Sequence, residues 1–167
     1  MRIIHPRCCG LDVHKASVSA CVLRPYTRKP DQAVQIKTFG TFQRDLTDLS
    51  RWLKQCGVTS VAMESTGVYW KPVWNVLEDK FQITLANPQQ VKGLPGRKTD
   101  QIDCHWLGDL QQHGLIRASF VPPREVRNWR DVSRYRTRLV QQRTGIANRI
   151  QKILEDEIGR ASCRERV

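Results

Sequence analysis

The sequence predicts an α/β protein: a mixed sheet flanked by helices and followed by a long basic helix. Three observations support this prediction. First, three β-type segments precede the first helical segment. Second, a strand in mid-chain is followed directly by an acid and then by a helix. Third, a basic helical segment stands near the end of the chain. Residues 1–118 are therefore predicted to form one domain, with the helical segment over 119–156 behind it.

The first three strands are predicted to be antiparallel. Residues 8–23 are rich in Val, Cys and Leu and bend at the polar Lys15 to Ser17, which is typical of a hairpin. Residues 33–42 alternate between apolar and polar side chains, as a half-buried strand does. Asp12 falls inside the first strand, where a carboxylate is costly unless a partner neutralises it. Asp12 is therefore a candidate functional residue.

The middle of the chain contains a second isolated acid. Residues 43–56 carry apolar side chains at helical spacing, and Gly57 ends that run as a glycine cap does. A short apolar strand over 58–63 then ends at Glu64, and a helix is predicted over 68–80. Glu64 thus stands between a strand and a helix, where a functional side chain can reach the edge of a sheet.

Two further acids open the last helix of the predicted domain. A strand over 81–86 leads through a Gly- and Pro-rich loop to a helix that begins after Thr99 and ends at Gly114. Asp100 and Asp103 are almost one helical turn apart, so they emerge on the same side. The exposed backbone N–H groups of a first turn also favour acids, so a plain helix start explains this pair when it is taken alone.

The order of the elements is the one expected of a ribonuclease-H-like fold, which brings the acid of the first strand close to the acid ending the next parallel strand. Four carboxylates in contact, Asp12, Glu64, Asp100 and Asp103, would repel one another unless a cation neutralised them. Mg2+ prefers such oxygen ligands, and two ions about 4 Å apart stabilise the attacking and leaving oxygens of a phosphodiester displacement. The acids therefore indicate phosphoryl transfer.

The charge of the chain favours a nucleic-acid partner. Lys and Arg number 28 against 16 Asp and Glu, a net charge of +12, and the excess is densest over residues 117–156. No apolar run is long enough to span a bilayer and no signal pattern begins the chain, so a cytoplasmic protein without membrane contact is expected. The six cysteines lack paired spacing, so neither a zinc site nor a disulfide framework is predicted.

The segment 125–156 predicts one long helix. Seam positions recur alternately three and four apart, as in a heptad, and all but two of them are apolar: Trp129, Val132, Arg136, Leu139, Arg143, Ile146, Ile150 and Ile153, with arginine at two a positions. Such a seam needs a partner, and a second helix, a helical hairpin and the protein's own domain all stay open. Arginines surround the helix with few acids between them, which favours contact with a DNA or RNA backbone. The predicted nucleic-acid contacts are His14, Lys98, Arg127, Arg130, Arg134 and Arg138.

The last residues, 157–167, differ in pattern from the helix before them, and Gly159 interrupts the heptads. They resemble the translation of a sequencing adapter, and we interpret them as a non-native tail without function. The underlying nucleotide sequence would test that interpretation.

Four motifs resemble one protein family: Gly10-Leu-Asp12-Val-His-Lys15, Met63-Glu64-Ser-Thr-Gly67-Val-Tyr-Trp70, Asn87-Pro88 and Lys98-Thr-Asp100-Gln-Ile-Asp103. Their order and spacing over residues 8–156 are similar to the N-terminal half of the DEDD-type insertion-sequence transposases, the insertion sequence one-hundred-and-ten family. The resemblance implies a RuvC-like domain whose catalytic acids, Asp12, Glu64, Asp100 and Asp103, hold Mg2+, and a coiled-coil region in the long helix. It further implies a recombinase, homo-oligomeric when full length, that moves a DNA element guided by a bridge RNA in the bacterial or archaeal cytoplasm, at the nucleoid.

The resemblance is to one half of those transposases. Family members carry a second domain whose serine nucleophile completes the active site, and neither Ser133 nor Ser162 has the context of that serine. We therefore expect this chain to bind Mg2+ and nucleic acid without completing strand transfer. Two alternatives stay open: a stand-alone RuvC-like junction resolvase or exonuclease, which would cut DNA by itself, and a non-catalytic nucleic-acid-binding fragment.

Overall fold

The computed structural model describes residues 2–26, 33–65, 67–92 and 103–164, and the chain divides into two compact units, Met1–Phe120 and Val121–Val167. The first unit contains β1 (Cys8–Val13), β2 (Ser17–Leu23), β3 (Val34–Gly40), α1 (Gln43–Gln55), β4 (Ser60–Glu64), α2 (Trp70–Leu77), β5 (Gln82–Ala86), α3 (Pro88–Lys92) and α4 (Asp103–Gln112). The second contains α5 (Arg124–Arg164). Apart from α3, these elements were predicted in this order.

The five strands form one mixed sheet in the order β3-β2-β1-β4-β5. β1 pairs antiparallel with β2, and β2 with β3, while β4 runs parallel to both β1 and β5. This arrangement confirms the predicted ribonuclease-H-like fold class. The central strand is β1, so Asp12 lies in the middle of the sheet and next to a parallel neighbour.

One face of the sheet packs against α1. The leucines at 46, 49 and 53 of this helix are buried, as its amphipathic spacing predicts. The rings of Phe39 on β3 and Trp52 on α1 have centroids 5.6 Å apart, and Cys56 Sγ donates to Gln35 Oε1 at 3.5 Å. Alternation along the strands places Leu11 and Met63 on this same face, so their fully buried side chains form its centre.

The opposite face packs against α4, which lies directly on β1. A Cβ atom at Gly10 would collide with the carbonyl oxygen of Cys104 and the amide nitrogen of Gly108. Only a glycine at position 10 allows the helix to come this close. Cys8 Sγ also donates to the Gly108 carbonyl at 3.5 Å, and Leu107 of the same helix is buried. The contact therefore fixes which stretch of α4 covers which stretch of β1.

The helix α3 was not predicted, because Asn87-Pro88 was interpreted only as the end of a strand. The structure shows that the same pair also starts a helix. Asn87 Oδ1 accepts a hydrogen bond from the Gln89 amide at 2.9 Å, and Pro88 occupies the first helical position, where its missing N–H is not needed. In the next helix, α4, Trp106 and Leu110 are buried.

The helix α5 is 41 residues long and continues to Arg164, beyond residue 156, where the predicted helix ended. Whether 157–167 is a non-native tail stays a prediction. Every described side chain from 128 to 158 is exposed, including Trp129 at 74% and Ile153 at 63%. The predicted apolar seam thus faces solvent along its length. In the part of the chain that the structure describes, no helix is long and apolar enough to cross a bilayer.

Candidate metal and nucleic-acid site

Asp12 and Glu64 lie side by side in the sheet. The parallel pairing of β1 with β4 matches Leu11 with Met63, and Asp12 and Glu64 are the next residues along the two strands. Residues matched in this way share a face of the sheet, and adjacent strands are about 4.8 Å apart. Both acids lie within neighbouring parallel strands close to their carboxyl ends, which is where the predicted site requires them. The Asp12 side chain is 24% exposed, so a ligand can reach it.

The helix α4 begins at the same end of the sheet. Its later residue Gly108 contacts Cys8 at the start of β1, so the helix runs antiparallel to that strand. A hydrogen bond from the Cys21 thiol lowers the pKa of Cys104, and the nearby Asp12 carboxylate opposes that shift. A Cβ at Gly10 would meet the Cys104 carbonyl, whereas Gln111 at the other end of α4 donates to Ser60, which is paired with Cys8 at the start of β1. Asp103, the residue before Cys104, therefore lies toward the end of β1 that carries Asp12.

The structure describes the positions of three of the four predicted acids. Asp100 lies outside the described residues, as does Lys98, so their positions stay predictions. Over residues 2–26, 33–65, 67–92 and 103–164, no group of three or more His, Cys, Asp and Glu side chains is gathered closely enough to hold a metal ion. The structure therefore places Asp12 and Glu64 one residue beyond a matched pair on adjacent strands and brings Asp103 to the same end of the sheet, without a closed ligand cluster among these residues.

His14 contacts Asp12 directly. Its Nε2 lies 2.9 Å from Asp12 Oδ2, and the imidazole is 65% exposed. An ionised carboxylate can only accept hydrogen bonds, so the imidazole N–H is the donor. His14 therefore lies on the same side of the sheet as Asp12. The contact orients the Asp12 carboxylate and leaves much of the imidazole open to solvent.

Five positions cross the sheet near the acids, and we name them the acid row: Thr38, Ser19, Asp12, Glu64 and Ala86. Asp12 pairs with Ser19, Ser19 with Thr38, and Glu64 with Ala86. Ser19 Oγ and Thr38 Oγ1 are 3.3 Å apart. We did not predict the two hydroxyls, although the hairpin carried a clue: Asp12 and Ser19 are equidistant from its turn.

A buried amide ties the far end of α4 to the sheet. Gln111 is 2% exposed, and its Nε2 donates to Ser60 Oγ at 2.5 Å and to Thr84 Oγ1 at 3.0 Å. We name these three side chains the amide clamp. Asp103 precedes Gln111 by eight residues, about 12 Å along a helix, so the clamp sets how far Asp103 advances along β1. Sequence reasoning missed Gln111 because a glutamine on a helix is most often a solvated residue.

The cysteines contribute packing. Burial raises the pKa of Cys8 to about 12 and holds that of Cys9 well above its ordinary value. The hydrogen bond with Cys104, together with burial, also keeps the pKa of Cys21 high. Cys8, Cys21 and Cys104 cluster with Leu23 between α4 and the sheet. Protonated thiols in such an apolar cluster act as small hydrophobic side chains.

Four predicted nucleic-acid contacts share one side of α5. Arg127, Arg130, Arg134 and Arg138 follow one another at spacings of three and four, so they line a single stripe on the helix, which we name the arginine stripe. The helical rotation places this stripe opposite the apolar seam. Arg127 Nη1 donates to the Pro122 carbonyl at 2.8 Å, and an Arg134 nitrogen is 3.9 Å from an Asp131 oxygen in an exposed pair. Such an exposed pair is weak, so it leaves Arg134 available to a phosphate.

Comparisons with known proteins agree with the predicted family. A DEDD family model for insertion sequence one-hundred-and-ten, described as Transposase, matches residues 9–158. No curated protein shows significant similarity to the chain. Among solved structures, Thermus thermophilus RuvC in complex with a Holliday junction substrate has 11% identity and a TM-score of 0.46, covering 69% of this chain and 100% of that one. The Fowlpox virus resolvase in its Holliday junction DNA complex has 12% identity and a TM-score of 0.44, covering 64% and 99%. At these identities and TM-scores, neither likeness supports a statement about function.

Proposed function

The chain belongs to the DEDD transposase family of insertion sequence one-hundred-and-ten, and we propose that it supplies the acid-bearing half of a recombinase that cuts DNA phosphodiester bonds and transfers the strands. One observation supports this most directly. Asp12 and Glu64 each follow the matched pair of Leu11 and Met63 on adjacent parallel strands, at the end of the sheet where α4 begins with Asp103. A pair of carboxylates in this position suits phosphodiester cleavage, a reaction in which a phosphate has to be held beside the negative charges of the acids.

In this proposal Asp12, Glu64, Asp100 and Asp103 are the catalytic acids and the ligands of Mg2+. Their carboxylate oxygens are the hard donors that this ion prefers. Bound there, Mg2+ would neutralise the acids and stabilise the attacking and leaving oxygens of the displacement. His14 orients Asp12 through its 2.9 Å hydrogen bond and presents its exposed edge to a phosphate. The amide clamp holds α4, and with it Asp103, in line with the two strand acids.

The proposed partners are DNA and a guide RNA. Lys98 and the arginine stripe of α5 would contact their phosphates, because arginines on one side of a helix can follow a nucleic-acid backbone. The exposed apolar seam on the other side of α5 would pair protomers in a homo-oligomer. The proposed setting is the bacterial or archaeal cytoplasm, at the nucleoid, where such DNA is found.

We also propose that these 167 residues alone do not complete strand transfer, because neither described candidate serine, Ser133 nor Ser162, stands in the context of the family's nucleophile. Ser133 lies on α5 and is exposed to solvent. A serine acting as a nucleophile needs an adjacent base or metal to activate it. Strand transfer by the purified chain would contradict this part of the proposal.

Calorimetric titration of Mg2+ tests the site. The variants are Asp12→Asn and, as a matched control, Asp48→Asn, which removes an exposed acid of α1 that pairs with Arg51 at 2.6 Å. We expect the wild type and the control to bind Mg2+ alike, and Asp12→Asn to bind at least about tenfold more weakly, since it loses a charged ligand. Equal binding by all three proteins would favour the non-catalytic fragment.

A cleavage assay separates the remaining alternative. The chain is incubated with Mg2+ and a branched DNA junction in the absence of any other protein. We expect the junction to stay intact. Cutting of the junction that Asp12→Asn abolishes would identify a stand-alone resolvase and overturn the proposal that the chain is half of an active site.

A further inference from the structure

The two ends of the acid row differ in what covers them. At one end, Ala86 is fully buried and packs with Val91, Trp106, Leu107 and Leu110 of α3 and α4. A backbone bridge to Ala118 closes this end further. A polymer cannot approach the acids over this apolar cluster without unfolding it.

The other end of the acid row is open. Thr38 is exposed, and the next two side chains on its face of β3, Ile36 and Val34, are 47% and 46% exposed. The cover that α4 provides over β1 therefore does not extend to β3. From Thr38 to Asp12 the distance across the sheet is two strand spacings, about 10 Å. Within the part of the chain that the structure describes, an open approach thus leads from the edge of the sheet to the first acid.

The two hydroxyls on that approach suit a phosphate. Ser19 Oγ and Thr38 Oγ1 are 3.3 Å apart, and one of their two O–H groups suffices for the contact between them. The second O–H group can donate to another acceptor, and phosphodiester oxygens accept hydrogen bonds. Hydroxyls carry no charge, so they can hold a phosphate beside Asp12 without competing for a cation and without adding to the negative charge of the acids.

We propose that Ser19 and Thr38 bind the phosphodiester backbone of the nucleic-acid strand that is cut, and that this strand reaches the acids from the β3 side of the sheet. The inference rests on the proposed function, and it adds a direction of approach and a binding site beside the acids. Ser19 and Thr38 position the strand through a phosphate that neighbours the one attacked.

Nuclear magnetic resonance on the full chain tests the approach. A single-stranded thymidine hexanucleotide is added to 15N-labelled protein in the presence of Mg2+. We expect the amide resonances of Ser19, Thr38 and Asp12 to shift together with one dissociation constant. Those of Thr59 and Gln82, at the opposite end of the strands, should stay in place. Shifts at Asp12 without shifts at Ser19 and Thr38, or no shift at any of the three, would overturn the inference.

Variants test the hydroxyls themselves. Ser19→Ala with Thr38→Val removes both, and Thr59→Val is the control, since its hydroxyl donates to the Arg7 carbonyl at 3.1 Å at the far end of the sheet. We expect the double variant to bind the hexanucleotide about threefold to tenfold more weakly, as measured from the shift of the Asp12 amide resonance. This is the loss typical of a hydrogen bond. A variant that keeps Ser19 and carries only Thr38→Ser should recover the affinity for the hexanucleotide. Unchanged affinity in the double variant, in a spectrum that shows it folded, would overturn the inference.

Calorimetry on the same double variant distinguishes this inference from the proposed function. Its affinity for Mg2+ alone should equal that of the wild type, because it keeps all four acids. If the double variant loses both hexanucleotide binding and Mg2+ binding, the hydroxyls act by positioning the acids and not by binding the strand. That result would overturn the inference. Absence of Mg2+ binding in the wild type would overturn the proposed function instead.

Discussion

The sheet unit and the helix α5 are built on opposite principles. In the sheet unit, side chains distant in sequence are buried together, and the acids occupy a level that depends on the register of several strands. In α5, every described side chain from 128 to 158 is exposed, and its arginine stripe depends only on the pitch of one helix. The comparison teaches that a site of converging carboxylates requires a folded core, whereas a phosphate-binding surface requires only local periodicity.

The two units should therefore respond oppositely to the same kind of mutation. A substitution that disturbs packing is expected to damage the sheet unit and its acids, and to leave α5 helical. A substitution of charge on α5 is expected to alter nucleic-acid binding and to leave the sheet unit folded. Paired substitutions of one residue type, one in each unit, provide the sharpest tests.

The largest difference is expected for glycine to alanine. Gly10→Ala places a Cβ against the Cys104 carbonyl and the Gly108 amide, and overpacking of this kind lowers the free energy of unfolding by about 3 kcal/mol. Gly145→Ala meets no atom within 4 Å and should stabilise α5 by about 1 kcal/mol through helix propensity. Urea unfolding followed by tryptophan fluorescence reports the first, since Trp106 is buried, and far-ultraviolet circular dichroism reports the second. Effects of the same sign would contradict the comparison.

A smaller difference is expected for glutamine to methionine. Gln111→Met leaves the buried Ser60 hydroxyl and the half-buried Thr84 hydroxyl without their donor, which should lower the free energy of unfolding by about 2 kcal/mol. Gln141→Met on exposed α5 should change it by less than about 0.5 kcal/mol. If the amide clamp also positions Asp103, Gln111→Met weakens Mg2+ binding at a temperature where the protein is fully folded. A variant with normal Mg2+ affinity would limit the clamp to stability.

Alkaline pH should weaken the sheet unit through its cysteines. Burial raises the pKa of Cys8 to about 12 in the folded protein, while an unfolded thiol ionises near pH 8.5. Between these values the unfolded state binds fewer protons than the folded one, so stability is full below about pH 8.5 and declines above it, by about 1.4 kcal/mol per pH unit for each such thiol. Unfolding measured from pH 7 to 11 should show the decline. Cys8→Ala should make it shallower, and an identical slope in this variant would contradict the assignment.

The smallest effect is expected on α5. Arg134→Gln should reduce the slope of log K against log salt for single-stranded DNA by about 0.7, the value for one lost phosphate contact. Arg51→Gln is the control, because Arg51 lies on α1 and pairs with Asp48 at 2.6 Å. Fluorescence anisotropy at several salt concentrations measures both slopes. An equal change in both variants would mean that net charge, and not the arginine stripe, governs binding.

Much of the fold was predictable because its patterns are local. Strand alternation and helical spacing within a few residues predicted β1 to β5, α1, α2 and the body of α4. The contacts of α4 were harder to predict from the sequence. Gly10 meets Gly108, and Gln111 meets Ser60, only when segments far apart in the chain pack together. Nothing near Gln111 in the chain distinguishes it from a solvated glutamine.

The candidate site divides in the same way. The sequence by itself determined which acids interrupt apolar strands, that the last helix is basic, and that the chain has the motifs of its family. Only the tertiary structure decided that Asp12 and Glu64 follow a matched pair on adjacent strands, that His14 holds Asp12, and that the acid row is open at Thr38 and closed at Ala86. The physical reason is that residue type and spacing act over a few positions, whereas register and burial arise from hydrogen bonds and packing between strands that the chain brings together only on folding.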